Sequence, residues 1–206
     1  MAFDLWLTFA VASVLLLMVP GPTILLVVSY SLTQGRKVAL RMALGVAAGD
    51  FIAMSASLAG LGALVLASAT LFTALKWLGA AYLVFLGIRL LRSPPKLPEA
   101  EAPETAGRDV FWHALAVTAL NPKSIAFFIA FVPQFIRPES ALLPQFAALV
   151  ATFVVLATLN ALAYALLADR LRARIRRPGV LRWMNRAGGG ALIGMGALTA
   201  GLQRAA

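Results

Sequence analysis

The chain has 206 residues, 61% of them hydrophobic, and a mean hydropathy of +0.88, well above the ~45–50% apolar content of soluble domains, so it reads as an integral membrane protein. No cysteine is present and His113 is the only histidine, which excludes disulfides, thiol catalysis and Cys- or His-clustered metal sites; no metal and no cofactor are expected. The formal net charge of +10 comes mostly from arginines flanking apolar segments, where membrane lipids rather than nucleic acid are the expected partner.

In chain order, Met1-Ala2-Phe3-Asp4 lacks the basic region and small-residue cleavage site of a signal peptide, so the apolar run that follows is expected to be kept as a first membrane helix. That run carries no charge from Leu5 through Gln34 and is interrupted by Pro20-Gly21-Pro22. Arg36, Lys37 and Arg41 form a basic loop. A second helix follows over about residues 42–64, with Gly45, Gly49, Ala53 and Ser57 at every fourth position as a flat face for close helix contact. Asp50 lies deep within it. A turn at residues 67–70 leads to a third helix, about 71–91, with Lys76 near one end and Arg89 and Arg92 at the other.

Residues 93–109 set Pro94, Pro95, Pro98 and Pro103 among Glu99, Glu101 and Glu104 and read as a solvent linker. The fourth helix, 110–136, contains Leu120-Asn121-Pro122-Lys123-Ser124. Lys123 lies about a dozen residues from the Arg108-Asp109 edge, ~18 Å by helical rise and near the middle of a ~30 Å hydrocarbon layer. A lysine there costs at least ~2.5 kcal/mol, and Pro122 leaves a carbonyl one turn earlier without a donor. Both costs fall if the break lines a wet cavity; the competing reading is a proline kink with Lys123 stretched to an interface. The helix ends in Pro133-Gln134-Phe135, and residues 137–140 form a turn. The fifth helix, 142–168, contains Asn160. Residues 169–186 form a loop with seven arginines, and the sixth helix, about 187–202, is rich in glycine.

Fourteen of the eighteen Lys and Arg residues fall on the first, third and fifth loops, so both termini are expected to be periplasmic and those loops cytoplasmic. Cut at the linker, residues 1–92 and 110–206 give two three-helix halves with matching punctuation. Pro20-Gly21-Pro22 breaks one first helix and Asn121-Pro122 the other. Asp50 and Asn160 are the polar points of the second helices, and Gly79, Leu83 and Gly87 are echoed by Gly188, Leu192 and Gly196. Three helices is an odd number, so the second half enters from the opposite side. The expected fold is all-α, with six transmembrane helices as two inverted three-helix repeats with broken first helices, the plan of secondary transporters.

These residues resemble the LysE/RhtB amino-acid exporters of bacterial inner membranes. The matching pieces are Pro20-Gly21-Pro22, the second helix around Gly45 and Gly49, Lys76-Trp77-Leu78-Gly79-Ala80-Ala81-Tyr82-Leu83 with Gly87, and Asn121-Pro122-Lys123-Ser124 followed by Pro133-Gln134-Phe135. Together they span the chain in order. The resemblance implies export of an amino acid or close derivative from the cytoplasm, driven by the proton gradient. An acid at the position of Asp50 is not universal in the family.

An amino-acid substrate brings a carboxylate and an ammonium group, and a dry site must partner both. Lys123 and the N–H groups after Pro122 suit the carboxylate. Asp50 and the free carbonyls before Pro20 and Pro22 suit the ammonium, with Asp50 also the proton-coupling candidate; Asn121 and Asn160 could orient either group. The alternative is a fixed Asp50–Lys123 bridge in a non-transporting membrane scaffold or assembly protein. Tyr82 and Tyr164 read as interfacial or packing aromatics, His113 as a headgroup contact, Trp6, Trp77 and Trp112 as belt residues. The glycine faces of the second and sixth helices suit packing within or between subunits, which leaves a homo-oligomer open.

Overall fold

The first apolar run stops where proline removes its donors. Helix α1 covers Phe3–Met18 and gives way at Val19, whose extended backbone (φ −73°, ψ 115°) is the conformation a following proline imposes. Helix α2, Pro22–Gln34, restarts with Pro22 in its first turn, where a missing N–H leaves no bond unmade. It ends at Gly35, whose positive φ of 70° is open to glycine at little cost. The computed structural model that records this describes residues 2–94, 107–137, 140–175 and 178–201.

A short 3₁₀ turn, Arg36–Val38, leads into α3, Ala39–Ala67, and α4 follows at Ala69–Arg92. The turn between α3 and α4 shrinks to Ser68, whose hydroxyl caps α4 by accepting from the Leu71 N–H at 3.2 Å. Most of the expected linker, residues 95–106, lies outside the described residues, and its last three residues already belong to α5, Gly107–Ala119. The second break separates α5 from α6, Pro122–Ala130, which runs into a 3₁₀ turn at Val132–Phe135. Helices α7, Leu142–Ile175, and α8, Pro178–Gly201, complete the chain.

The expected arginine loop at 169–186 is helical on both sides of residues 176–177. Arginine is a strong helix former, so a basic composition ends the apolar span without ending the helix, and Pro178 opens α8 at a position that tolerates it.

Among the described residues, three segments, Ala39–Ala63, Thr73–Arg92 and Leu142–Ala168, are each long and apolar enough to cross a bilayer. The two broken pairs, bent by 55° at the first break and 43° at the second, raise the number to five if each pair is one span. Helix α8 lies outside that count, because Asn185, Arg186 and its glycines dilute its apolar character.

Glycine faces set how closely the helices approach. A methyl group added at Gly45 would stand 2.5 Å from the Phe111 carbonyl oxygen, and one at Gly49 would stand 2.7 Å from that of Leu115, so α3 meets α5 backbone to backbone. Helices α4 and α8 meet in the same way: a methyl group added at Gly87 would stand 2.6 Å from the Gly189 carbonyl oxygen, and one at Gly189 2.7 Å from that of Gly87. Beside α1 and α6 the core is aromatic. Phe9, Phe127, Phe128, Phe131, Phe135 and Phe153 are all buried, with ring centroids 4.8 to 6.3 Å apart.

This packing predicts a contrast within one helix. Gly49→Ala forces backbone apart and should lower stability by ~1–3 kcal/mol, whereas Gly60→Ala, with nothing within 4 Å of the added carbon, should be neutral or slightly stabilising. Equilibrium unfolding of the two variants in detergent compares them directly.

Candidate functional site

A helix that stops leaves its last carbonyls without donors, and α1 stops inside an apolar bundle. Side chains from later in the chain donate to all four of its last carbonyls, and that of Leu16 also accepts from the Val19 N–H at 3.2 Å. Lys123 Nζ donates to the Leu16 carbonyl at 3.0 Å and to the Val19 carbonyl at 2.8 Å. Asn160 Nδ2 donates to the Leu17 carbonyl at 3.2 Å, and the Tyr164 hydroxyl to that of Met18 at 3.4 Å. The positive lysine thus occupies the negative end of the α1 dipole.

The second break is built from the same parts in the opposite sense. Asn121 caps α6, its Oδ1 accepting from the Lys123 N–H at 3.1 Å, while its Nδ2 donates to Thr23 Oγ1, also at 3.1 Å. Thr118 Oγ1 donates to the same Thr23 oxygen at 3.3 Å. Asn121, Thr23 and Thr118 are all buried. Through them the start of α2, the end of α5 and the start of α6 form one polar knot. The Lys123 stem reaches α1 by passing over Gly21, where an added Cβ would lie 3.4 Å from both Cε and Nζ.

Gly21, Asp50, Asn121, Lys123 and Asn160 line one cavity, together with Thr23 and Ser124. Pro20, Pro22 and Pro122 act through the backbone, by making the two breaks. Asp50 is 2% exposed, and its Oδ1 has no hydrogen-bond partner among the described residues. It shares the cavity with Lys123, but the lysine's bonds go to the α1 carbonyls, so the fixed Asp50–Lys123 bridge is not formed. The cavity is small, about 20 Å³ for the centre of a water-sized sphere, which is room for about one water molecule.

Thr23 and Thr118 were not singled out by the sequence, although each lies within about a turn of a break, and Tyr164 was read as an interfacial or packing aromatic. Tyr164 is a ligand of the break rather than packing alone. His113 bonds through Nδ1 to the hydroxyl of buried Tyr30 at 2.9 Å, tying α5 to α2. Trp6 donates through Nε1 to Thr152 Oγ1 at 2.9 Å, while Trp77 and Trp112 are exposed.

Apolar helices, two of them broken, with a buried carboxylate and an ammonium around one cavity, define a helical membrane protein built to handle a small polar solute. The sequence matches the LysE type translocator family over residues 14–201, and the chain belongs to that family. It is 34% identical over the whole of both chains to the homoserine/homoserine lactone efflux protein of Salmonella typhimurium. It is also 38% identical to an uncharacterised membrane protein of Pseudomonas aeruginosa, over 96% of this chain and 92% of the relative. No solved structure matches. A translocator moves its solute unchanged, so the chain is a membrane transporter, not an enzyme, and the scaffold reading is set aside.

The route of the Lys123 stem over Gly21 gives a graded expectation. The Gly21 backbone (φ −111°, ψ −172°) accepts any residue, so Gly21→Ala should stay within ~0.5 kcal/mol of the parent. Gly21→Leu competes with the stem and should cost ~1–3 kcal/mol, read as a lower unfolding midpoint in detergent.

Proposed function

We propose that the protein exports a small amino acid or close derivative from the cytoplasm by proton antiport, with Asp50 as the group that proton and substrate share. The observation that carries this reading is the buried Asp50 oxygen without a partner, in the cavity between the two breaks. An ionised carboxylate in such a place is costly until a cation or a proton meets it. One carboxylate that accepts either a substrate ammonium or a proton, but not both, exchanges one for the other. That competition is the simplest form of antiport.

The relatives' names favour the same assignment. Homoserine and its lactone share a primary ammonium beside a carbonyl, but the lactone has no free carboxylate. The ammonium is therefore the constant feature, and Asp50 is its partner. Lys123, Asn121 and the N–H groups opening α6 suit the carbonyl or carboxylate oxygen. The arrangement is read as six spans in two inverted repeats, residues 1–92 and 110–206, in a bacterial inner membrane with both termini periplasmic. The matched breaks, the mutual glycines of α4 and α8 and the distribution of basic residues support it.

Reporters fused at Ala2 and Ala206 should both read as periplasmic, and one within residues 93–109 as cytoplasmic; a cytoplasmic N-terminus ends the inverted-repeat reading.

For the mechanism, Asp50→Asn in liposomes should lose pH-driven transport by tenfold or more, the effect of removing a charged partner worth ~1.5–3 kcal/mol. Substrate counterflow, which needs no net proton movement, should persist only at raised substrate concentration, its half-saturation higher by about the same factor because the ammonium has lost its partner. Lys123→Ala should lose both. Full pH-driven transport by a folded Asp50→Asn protein would make Asp50 structural and move the proton to another group.

A further inference from the structure

We propose that the Lys123 ammonium is a tethered stand-in for the substrate's own ammonium: it fills the cation site at the end of α1, and a primary ammonium from the substrate takes its place there. This rests on the export reading above.

Of the last four carbonyls of α1, those of Leu17 and Met18 are held by neutral donors of α7, Asn160 and Tyr164, and that of Leu16 has the Val19 N–H besides its side-chain donor. The other two, of Leu16 and Val19, converge on a single cation. That cation comes on an unbranched stem of four carbons, and the residue it passes has no side chain to pin it. The carbonyls of Leu16 and Val19 are thus a built site for R–NH₃⁺, placed at the negative end of a helix. Lysine and an amino acid present the same three donors to it, so exchanging one for the other never leaves these carbonyls bare in an apolar surrounding.

Space argues the same way. With Lys123 seated, the cavity has room for about one water molecule and none for an amino acid. Withdrawal of the stem opens room beside Asp50, whose free Oδ1 then meets the incoming ammonium from the other side. The displaced Nζ is left to the substrate's carbonyl or carboxylate oxygen. The site therefore selects primary ammonium compounds, and an N-acylated or quaternary analogue cannot replace the lysine, having too few N–H donors.

The test is rescue of the missing ammonium in the full-length protein. Lys123→Ala should melt lower than the parent and be raised by about 4 °C by methylammonium chloride at tenfold its Kd. Tetramethylammonium chloride, a cation without N–H donors, should not raise it, and the parent should respond to neither. Labelled methylammonium bound to Lys123→Ala should be displaced by whichever amino acid the parent exchanges in counterflow. No selective rise, or methylammonium that stays bound against that amino acid, overturns the stand-in. If Lys123→Ala does not fold, Lys123→Met keeps most of the stem, and ammonium chloride replaces methylammonium with the same two outcomes. Absence of counterflow by the parent for the twenty amino acids, homoserine and its lactone would instead sink the export reading. The thermal measurement, which needs no transport, would still decide whether the cation site exists.

Discussion

The structure turns on two hydrogen bonds from one ammonium group. A helix broken in an apolar bundle leaves carbonyls that nothing nearby can satisfy, and a lysine in the same surroundings has a charge with no water to hold it. Each defect is intolerable alone. Lys123 on the carbonyls of Leu16 and Val19 removes both at once, and Asn160 and Tyr164 fill what remains. The two halves of the chain are thus fastened through the places where each departs from regular helix, and Asn121 on Thr23 adds a second fastening between the same breaks.

Around that joint, shape comes from what side chains leave out. The α3–α5 and α4–α8 contacts rest on glycines that allow backbone to approach backbone, and dispersion over such close surfaces replaces the hydrophobic drive that is missing between helices in lipid. Beside α1 and α6 the opposite solution applies, with six buried phenylalanine rings filling the space. The polar cavity lies where neither solution reaches. It is bounded by the end of α1, the starts of α2 and α6, and the middle of α3 and α7.

Much of this was legible because polar and helix-breaking residues are conspicuous in an apolar chain. Pro20-Gly21-Pro22, Asp50, Asn121-Pro122-Lys123 and Asn160 stand out, and the structure brings Gly21, Asp50, Asn121, Lys123 and Asn160 around one cavity. What could not be read was pairing. Nothing in the sequence joins Tyr30 to His113, 83 positions apart, or Tyr164 to the Met18 carbonyl, and a hydroxyl such as Thr23 or Thr118 looks the same whether it bonds within its own helix or across the break. That the carbonyls of Leu16 and Val19 hold Lys123 could not be read for a related reason. Side chains advertise their charge, but backbone carbonyls become ligands only where a helix ends. The extent of α7 and α8 was missed because charge pattern marks where lipid stops, not where helical hydrogen bonding stops.

Gly49 and Asp50 are neighbours on α3, and the glycine holds its turn of the helix against the backbone of α5 at Leu115. The carboxylate, on a single methylene, therefore stands where that contact puts it. The ammonium opposite stands at the end of four rotatable carbons from the first turn of α6. Of the two opposite charges in the cavity, one is thus held on a short stem by packed backbone and the other on a long one, so the carboxylate has far fewer positions open to it than the lysine.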